Sequence, residues 1–129
     1  MIPLLSGAEA RAYDLDSVGR VGVAGALLME SAGAGAAACI LRAYPDARRF
    51  AVVGGTGQNG GDAWVVARHL VSAGREVVAY LIGDRAAVSG DAAPNLASLE
   101  AMMPVRRGIA DFAGVEVIVE GLFGTGLSR

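Results

Sequence analysis

The sequence predicts an α/β fold with a mainly parallel sheet. Three short apolar and β-branched runs, at 50–53, 76–82 and 115–119, alternate with longer stretches in which apolar residues recur at helical spacing. The runs are mostly apolar, as expected of parallel strands covered on both faces. A glycine-dense segment follows the first run at once, which places a turn between strand and helix. A strand, a helix and a second strand in this order predict a right-handed parallel crossover.

Length and charge limit the class of protein. The chain has 129 residues, 53% of them hydrophobic, which is enough for one domain over residues 1–129 and too few for two. Its 11 basic residues are all arginines, its net charge is -2, and no basic cluster exceeds two residues. The electrostatic footprint of a nucleic-acid binder is therefore missing, and small molecules are the expected partners.

The first helix is predicted to begin at a capping box formed by Ser6 and Glu9 and to end at Gly19. One side of it is apolar: Ala8, Ala12, Leu15 and Val18. This pattern predicts a helix that packs on a core through that side.

The second helix is predicted from about residue 24 to residue 43. Its Gly33 and Gly35 each cost roughly 1 kcal/mol of helix stability relative to alanine, which indicates close approach by another element. The window 21–41 is apolar enough to test as a membrane span, but Glu30 in its middle would cost about 2.5–3.5 kcal/mol to insert. We therefore predict a close-packed soluble helix and no membrane association. Glu30 and Ser31 face the site, cap a neighbouring element or satisfy buried backbone groups.

The segment after strand 50–53 is built from glycine and polar residues. Five glycines occur within eight residues: Gly54, Gly55, Gly57, Gly60 and Gly61. Helical periodicity is predicted from Gly61 to Gly74, so the glycines are expected between strand and helix. Glycine permits positive φ and close approach, and free amides at a helix start bind anions or dipoles. The segment predicts a site for a phosphorylated small molecule, with a tight turn as the alternative.

Two standard glycine loops were compared with this segment. The nucleoside triphosphate loop requires a lysine, and the chain has none, so it is excluded. The dinucleotide pattern GxGxxG is matched by residues 55–60, with Asp84 where a ribose-binding acid would stand. Against this interpretation, Asp62 is expected in the first helical turn, where its carboxylate competes with a pyrophosphate. Together, Gln58, Asn59 and Asp62 suggest recognition of hydroxyls, an amide or a cation.

The remaining elements complete the α/β pattern. A helix capped by Asp91 follows strand 76–82, and its inner face carries Leu96, Leu99, Met102 and Met103. Residues 115–119 form the third predicted strand, and residues 120–129 form a second glycine-rich loop. Because the carboxyl ends of parallel strands share one edge of a sheet, the two glycine loops are expected to form the two sides of one crevice.

Two residues of reactive type stand alone. Cys39 is the only cysteine, so the chain by itself provides neither a disulfide nor a zinc site, and a cytoplasmic location is expected. His69 is the only histidine, and beside Arg68 on a helix face it is expected to be solvated rather than catalytic.

Several blocks of the sequence resemble the NAD(P)H-hydrate epimerases, the YjeF N-terminal domain family. They are, in family order, Met29–Gly33 (MESAG), Gly57–Leu70 (GQNGGDAWVVARHL), Leu81–Gly83, Ser89–Ala92 and Leu122–Leu127 (LFGTGL). Four positions depart from the family pattern: Ser31 and Gln58 stand where the family has asparagine, Ala63 where it has glycine, and Glu120 where it has aspartate.

The resemblance implies a Rossmann-like three-layer α/β/α sandwich, truncated at its C-terminus. The implied activity is cofactor repair, by interconversion of the R and S epimers of hydrated NADH and NADPH. The implied substrate-binding residues are Gln58, Asn59, Gly60, Gly61, Asp62, Gly124, Thr125, Gly126, Leu127, Ser128 and Arg129. Potassium is the implied cofactor, with Asn59 and Glu120 at the positions of its ligands.

The catalytic residue is unknown, because the family's acid/base aspartate belongs to a later motif and the chain ends at Arg129. The YjeF-like domain is therefore expected to be incomplete, and residues 1–129 alone are not expected to catalyse epimerisation. The implied partners are a second copy, as a homodimer, and a fused or separate ADP- or ATP-dependent dehydratase. Two alternatives stay open: a non-catalytic binding or scaffold module, and a dinucleotide-dependent oxidoreductase.

Overall fold

A parallel sheet with helices packed on it makes up the fold. The computed structural model describes residues 4–124. In chain order the elements are α1 (Gly7–Gly19), α2 (Gly25–Ala43), β1 (Arg49–Gly54), α3 (Gln58–Ser72), β2 (Glu76–Leu81), α4 (Ala92–Met102), β3 (Val105–Arg107) and β4 (Val117–Gly121). The strands are ordered β3-β2-β1-β4 and every pairing is parallel. The predicted α/β class and parallel sheet are confirmed.

The strand order reverses direction at β1. From β1 the chain passes through α3 to β2 and through α4 to β3, moving towards one edge, and it then returns to place β4 on the other side of β1. The predicted third strand is thus the fourth, because sequence analysis missed β3, a three-residue edge strand of Val105, Arg106 and Arg107. The reversal puts a topological switch point between β1 and β4, where open α/β sheets bind ligands.

The core lies between one face of the sheet and helix α3. Residues Phe50 and Val52 of β1 and their register partners Val77 and Ala79 of β2 point to this face. The largest fully buried side chains include Trp64, Phe50, Leu70, Leu96 and Leu99. Burial of each such side chain contributes about 1.5–3 kcal/mol. The predicted inner positions of Leu96 and Leu99 are confirmed. The same prediction is wrong for Met102, which is 45% exposed.

The other face of the sheet is covered in part by the segment between β3 and β4. The Tyr80 hydroxyl donates to the Asp111 carbonyl at 3.0 Å, and the Tyr80 ring meets Phe112 edge-on with centroids 6.3 Å apart. Further along this face Ile118, on the edge strand β4, is 52% exposed. A cavity of about 260 Å³ lies under the segment and is bordered by Tyr80 and Arg106.

Helices α2 and α3 pack closely at only one of the two glycines that the sequence singled out. A Cβ on Gly33 would overlap the Val65 side chain and lie 3.2 Å from the Asp62 carbonyl, whereas a Cβ on Gly35 would meet nothing within 4 Å. Gly33 is therefore required by packing, and the same explanation is wrong for Gly35. Within residues 4–124, α2 alone has the length and hydropathy of a membrane span, a property it shares with core helices of soluble domains.

An ionic network joins the three helices that cover the sheet. The Glu30 carboxylate on α2 accepts from Arg68 and from Nε2 of His69 on α3, the latter at 2.7 Å. Arg68 also donates to Oδ1 of Asn95 on α4 at 2.9 Å, and Nδ2 of Asn95 lies 3.3 Å from the Met29 sulfur. The prediction of a solvated, partnerless His69 is wrong. Of the roles left open for Glu30, capping an element and satisfying buried backbone groups do not hold, because the hydrogen bonds of its carboxylate go to side chains of α3.

We expect Glu30→Gln to lower the free energy of unfolding at neutral pH by about 1–2 kcal/mol, because it weakens two part-buried charged hydrogen bonds. The His69 hydrogen bond, with Arg68, holds the pKa of the Glu30 carboxyl below its usual 4.5. A lowered pKa stabilises the fold above the unfolded-state pKa, and the contribution is lost as pH falls through the folded-state pKa.

Urea denaturation of both proteins between pH 7 and pH 3 measures this effect. The difference between wild type and variant should shrink below about pH 4.5. Glu76→Gln is the control, because Glu76 forms an exposed pair with Arg49 and should change stability by less than about 0.5 kcal/mol. A constant difference across the pH range would contradict the assignment.

Candidate functional site

The two glycine loops lie against each other at the carboxyl edge of the sheet, as predicted. The loop after β1 begins at Gly55, whose N–H donates to the Gly121 carbonyl of β4 at 3.0 Å. A Cβ on Gly55 would lie 2.8 Å from the carbonyl oxygen of Leu122, so the two backbones touch. Since β1 and β4 flank the switch point, the loops form the two sides of the crevice where a ligand is expected.

Helix α3 begins earlier than predicted. Gly57 is its N-cap, and Gly60 and Gly61 lie in its first turn rather than in the preceding loop. None of the glycines from 54 to 61 has a positive φ, and close approach by other atoms explains all of them except Gly57. A Cβ on Gly60 would overlap the Gly55 carbonyl, and one on Gly61 would lie 2.6 Å from the Met29 sulfur. The helix start is thereby packed directly on the turn and on α2.

Asn59 connects the two loops. Its Nδ2 donates to the Phe123 carbonyl beyond β4 at 2.7 Å, while its Oδ1 accepts no hydrogen bond from the described residues. Glu120 lies on β4 opposite Val53 of β1, and its carboxylate accepts the backbone N–H of Leu122. Two oxygen-bearing side chains, both predicted to bind a cation, thus stand at the carboxyl ends of neighbouring strands.

Gln58 and Asp62 line a cavity of about 380 Å³, which we call the Asp62 cavity. Asp62 lies beyond the first turn of α3, so its predicted place in that turn is wrong. Burial, together with the charge of Asp14, raises the pKa of the Asp62 carboxyl above its usual 3.8. The other lining residues are Asp14, Leu15, Val18, Gly25, Leu28, Met29, Ala32 and Asp91. The cavity is therefore lined by apolar side chains of α1 and α2 and by carboxylates of α1, α3 and the start of α4.

Sequence analysis missed the contribution of α1 to this cavity. The capping box of Ser6 and Glu9 is confirmed, with the Ser6 N–H donating to Glu9 at 2.7 Å, but no residue of α1 is buried. The predicted apolar side of α1 does not pack on the core, and Leu15 and Val18 line the Asp62 cavity instead. In the sequence, the only sign of this contribution is the apolar stripe of α1. Such a stripe does not show whether a cavity or a core lies opposite the helix.

Two further aspartates, Asp91 and Asp84, do not have the roles that the sequence predicted for them. Asp91 is at the N-cap position of α4, yet its side chain makes no capping hydrogen bond and its carboxylate lies against Gly25 at the Asp62 cavity. Asp84, the candidate ribose-binding acid, accepts the Ala86 N–H at 2.9 Å and caps a short turn. Because Asp84 caps this turn, the case for a dinucleotide-binding fingerprint is weaker.

The remaining predicted binding residues lie in the second loop. Gly124 lies near Asn59, since a Cβ on it would be 3.5 Å from the Asn59 Cβ. Thr125, Gly126, Leu127, Ser128 and Arg129 lie outside the described residues. Their roles stay predictions.

The fold defines an α/β protein of Rossmann-like architecture, with two glycine loops in contact at the switch point between β1 and β4. The profile of the family described as YjeF-related protein N-terminus matches residues 25–129. The chain therefore belongs to the YjeF N-terminal family, and the resemblance noted in the sequence is confirmed.

Curated relatives carry names of cofactor-repair enzymes. The chain is 37% identical to the NAD(P)H-hydrate epimerase of Pirellula staleyi over 92% of its length and 56% of that protein. It is 33% identical to the NAD(P)H-hydrate epimerase of Rhodobacter capsulatus, over all of the chain and 65% of that protein. The bifunctional NAD(P)H-hydrate repair enzyme Nnr of Pyrobaculum aerophilum is 41% identical over 83% of the chain and 23% of the enzyme. The chain thus spans less than two thirds of these relatives.

A solved structure agrees with the fold. The crystal structure of the yeast protein YNL200c superimposes with a TM-score of 0.81, at 24% identity, over 99% of the chain and 59% of the yeast chain. The similarity extends to α1, which lies outside the residues matched by the family profile.

Proposed function

We propose that this chain provides the substrate-binding and cation-binding part of an NAD(P)H-hydrate epimerase, which interconverts the R and S epimers of hydrated NADH and NADPH. The observation that carries the proposal is the Asn59–Phe123 hydrogen bond, which joins the two glycine loops into one crevice at the switch point. The names of the relatives supply the reaction.

Epimerisation at C6 of the hydrated ring requires that C6 become planar, by departure and return of water. The catalyst must hold the ring in place and move a proton. First-turn amides of α3, at residues 58–60, lack intrahelical acceptors and can donate to the substrate. The Asp62 carboxylate can accept ribose hydroxyls once it is ionised. The acid/base group is proposed to belong to the family's later motif, and no described residue is assigned that role.

Potassium is proposed as the cofactor, held by Asn59 and Glu120. The residues fit a hard cation, because no described residue donates to the Asn59 Oδ1 and Glu120 uses one carboxylate oxygen for Leu122. When bound, the ion would supply positive charge beside the crevice. Between residues 4 and 124 no three His, Cys, Asp or Glu side chains are grouped to hold a metal, so the donors suit an alkali ion better than a transition metal.

Calorimetric titration with purified S-hydrated NADPH in potassium buffer tests this function. We expect a Kd in the range of about 1 μM to 1 mM, as for typical substrates. Asn59→Ala should weaken binding about tenfold, because it removes the bond between the loops and a cation ligand. Proton NMR of the same samples reports whether residues 1–129 also interconvert the epimers.

Glu76→Gln is the control for this titration. Glu76 forms an exposed pair with Arg49 at the start of β2 and does not line the Asp62 cavity, so its substitution should leave the Kd unchanged. The proposal fails if the wild-type protein does not bind hydrated NADPH at millimolar concentration. It also fails if the two variants bind equally well.

Assembly and location are proposed on separate grounds. A homodimer is favoured by the edge position of β4 and by the exposed Ile118 on it, since an open apolar edge promotes association. Sedimentation velocity measures the oligomeric state.

The bifunctional relative supports a dehydratase as a fused or separate partner that restores the cofactor. The unpaired Cys39 is compatible with a reducing cytoplasm.

A further inference from the structure

Helix α1 presents an apolar side that the rest of the described chain does not cover. Leu15 is 73% exposed, and Val18 is also exposed, although both line the Asp62 cavity. Across the cavity lie Leu28 and Met29 of α2 and the polar groups of Gln58 and Asp62. An apolar side facing a partly polar side is the usual construction of a small-molecule pocket, and about 380 Å³ is within the size range of such pockets.

Helix α1 is stabilised within itself rather than by packing. Its N-terminus is closed by the capping box, and Asp16 pairs with Arg20 one turn later at 3.2 Å. It joins α2 through Gly22, which has φ +76° and open space where a Cβ would be. Exposed apolar side chains contribute little to the stability of such a short helix. If a ligand fills the cavity beneath α1, these side chains become buried, which favours binding.

We infer that α1 is part of the substrate site and that Leu15 and Val18 are binding residues which cover the nicotinamide-ribose half of the hydrated dinucleotide. This inference rests on the proposed function and extends it to residues outside the family profile, which starts at residue 25. The hydrated ring supplies a weakly polar face for Leu15 and Val18. The attached ribose supplies neutral hydroxyl donors for Asp62.

The charges of the cavity favour this half of the ligand over its phosphates. Asp14, Asp62 and Asp91 border the cavity, and the described residues lining it include no arginine. A phosphate among three carboxylates is repelled, whereas hydroxyl and carboxamide groups donate to them. Burial and Asp14 raise the pKa of the Asp62 carboxyl, which agrees with a closely confined acceptor.

The test compares two substitutions on α1. Leu15→Ala should weaken the binding of S-hydrated NADPH about tenfold, the effect of losing part of one leucine contact. Tyr13→Ala is the matched control, since Tyr13 is 68% exposed on the same helix and does not line the cavity. It should change the Kd less than about twofold. Because both side chains are exposed, both variants should keep the wild-type melting temperature.

A second measurement is independent of affinity. In methyl NMR spectra of the wild-type protein, the Leu15 and Val18 signals should shift on addition of S-hydrated NADPH, while the signals of Leu99, which is buried in the core and does not line the cavity, should not. If the wild type binds the ligand, but Leu15→Ala matches Tyr13→Ala and the methyl signals stay in place, the role of α1 is refuted and the proposed function survives. Failure of the wild type to bind overturns both.

Discussion

Gly60→Ala is expected to lower the free energy of unfolding by about 3 kcal/mol and to abolish binding of hydrated NADPH. A Cβ at this position would overlap the Gly55 carbonyl oxygen and lie 2.8 Å from its carbon. Neither atom can move freely, because the Gly55 N–H is itself bonded to Gly121 of β4. The start of α3 must therefore shift away from β1. This shift would displace Asn59 from Phe123 and open the crevice.

Gly57→Ala provides the control in the same loop. Gly57 has φ −91° and ψ −168°, which alanine adopts readily, and a Cβ there meets nothing within 4 Å. We expect a stability change within about 1 kcal/mol and retained binding, because the only loss is a slightly poorer N-cap. Urea denaturation and calorimetric titration of the two variants check both points. Equal stability of the variants would show that close approach does not explain Gly60.

Gly33→Ala and Gly35→Ala are expected to change stability in opposite directions, although the two residues lie two positions apart on α2. Each substitution gains up to about 1 kcal/mol of helix propensity. For Gly33 the new methyl group would overlap Val65 on α3, so we expect a net loss of about 2 kcal/mol. For Gly35 the methyl group enters open space and the gain remains.

Thermal unfolding separates these two outcomes. The melting temperature of Gly33→Ala should fall by on the order of 8 °C, and that of Gly35→Ala should rise by a few degrees. Adding Val65→Ala to Gly33→Ala removes the overlapping Cγ atoms, so the double variant should lose less than the sum of the single losses. An additive double variant, or a stabilising Gly33→Ala, would contradict the packing assigned to α2 and α3.

The local sequence determined the secondary structure and the edge of the sheet that carries the site. The capping box fixed the start of α1, and continuous apolar runs fixed β1 and β2, because both signals depend on neighbours along the chain. The short edge strand β3 was missed, since three residues with two arginines carry no strand pattern. Glycine density after β1 identified the ligand loop, and family motifs identified its partner after β4.

Only the tertiary structure decided what the individual side chains do. The sequence treated Gly33 and Gly35 alike, left His69 without a partner and placed the apolar side of α1 on the core. The fold instead brings Val65 against Gly33 and Glu30 to His69, and it leaves Leu15 at the Asp62 cavity. These outcomes depend on distances between helices far apart in sequence. Periodicity reports which side of a helix is apolar, but not whether a core, a cavity or solvent lies opposite it.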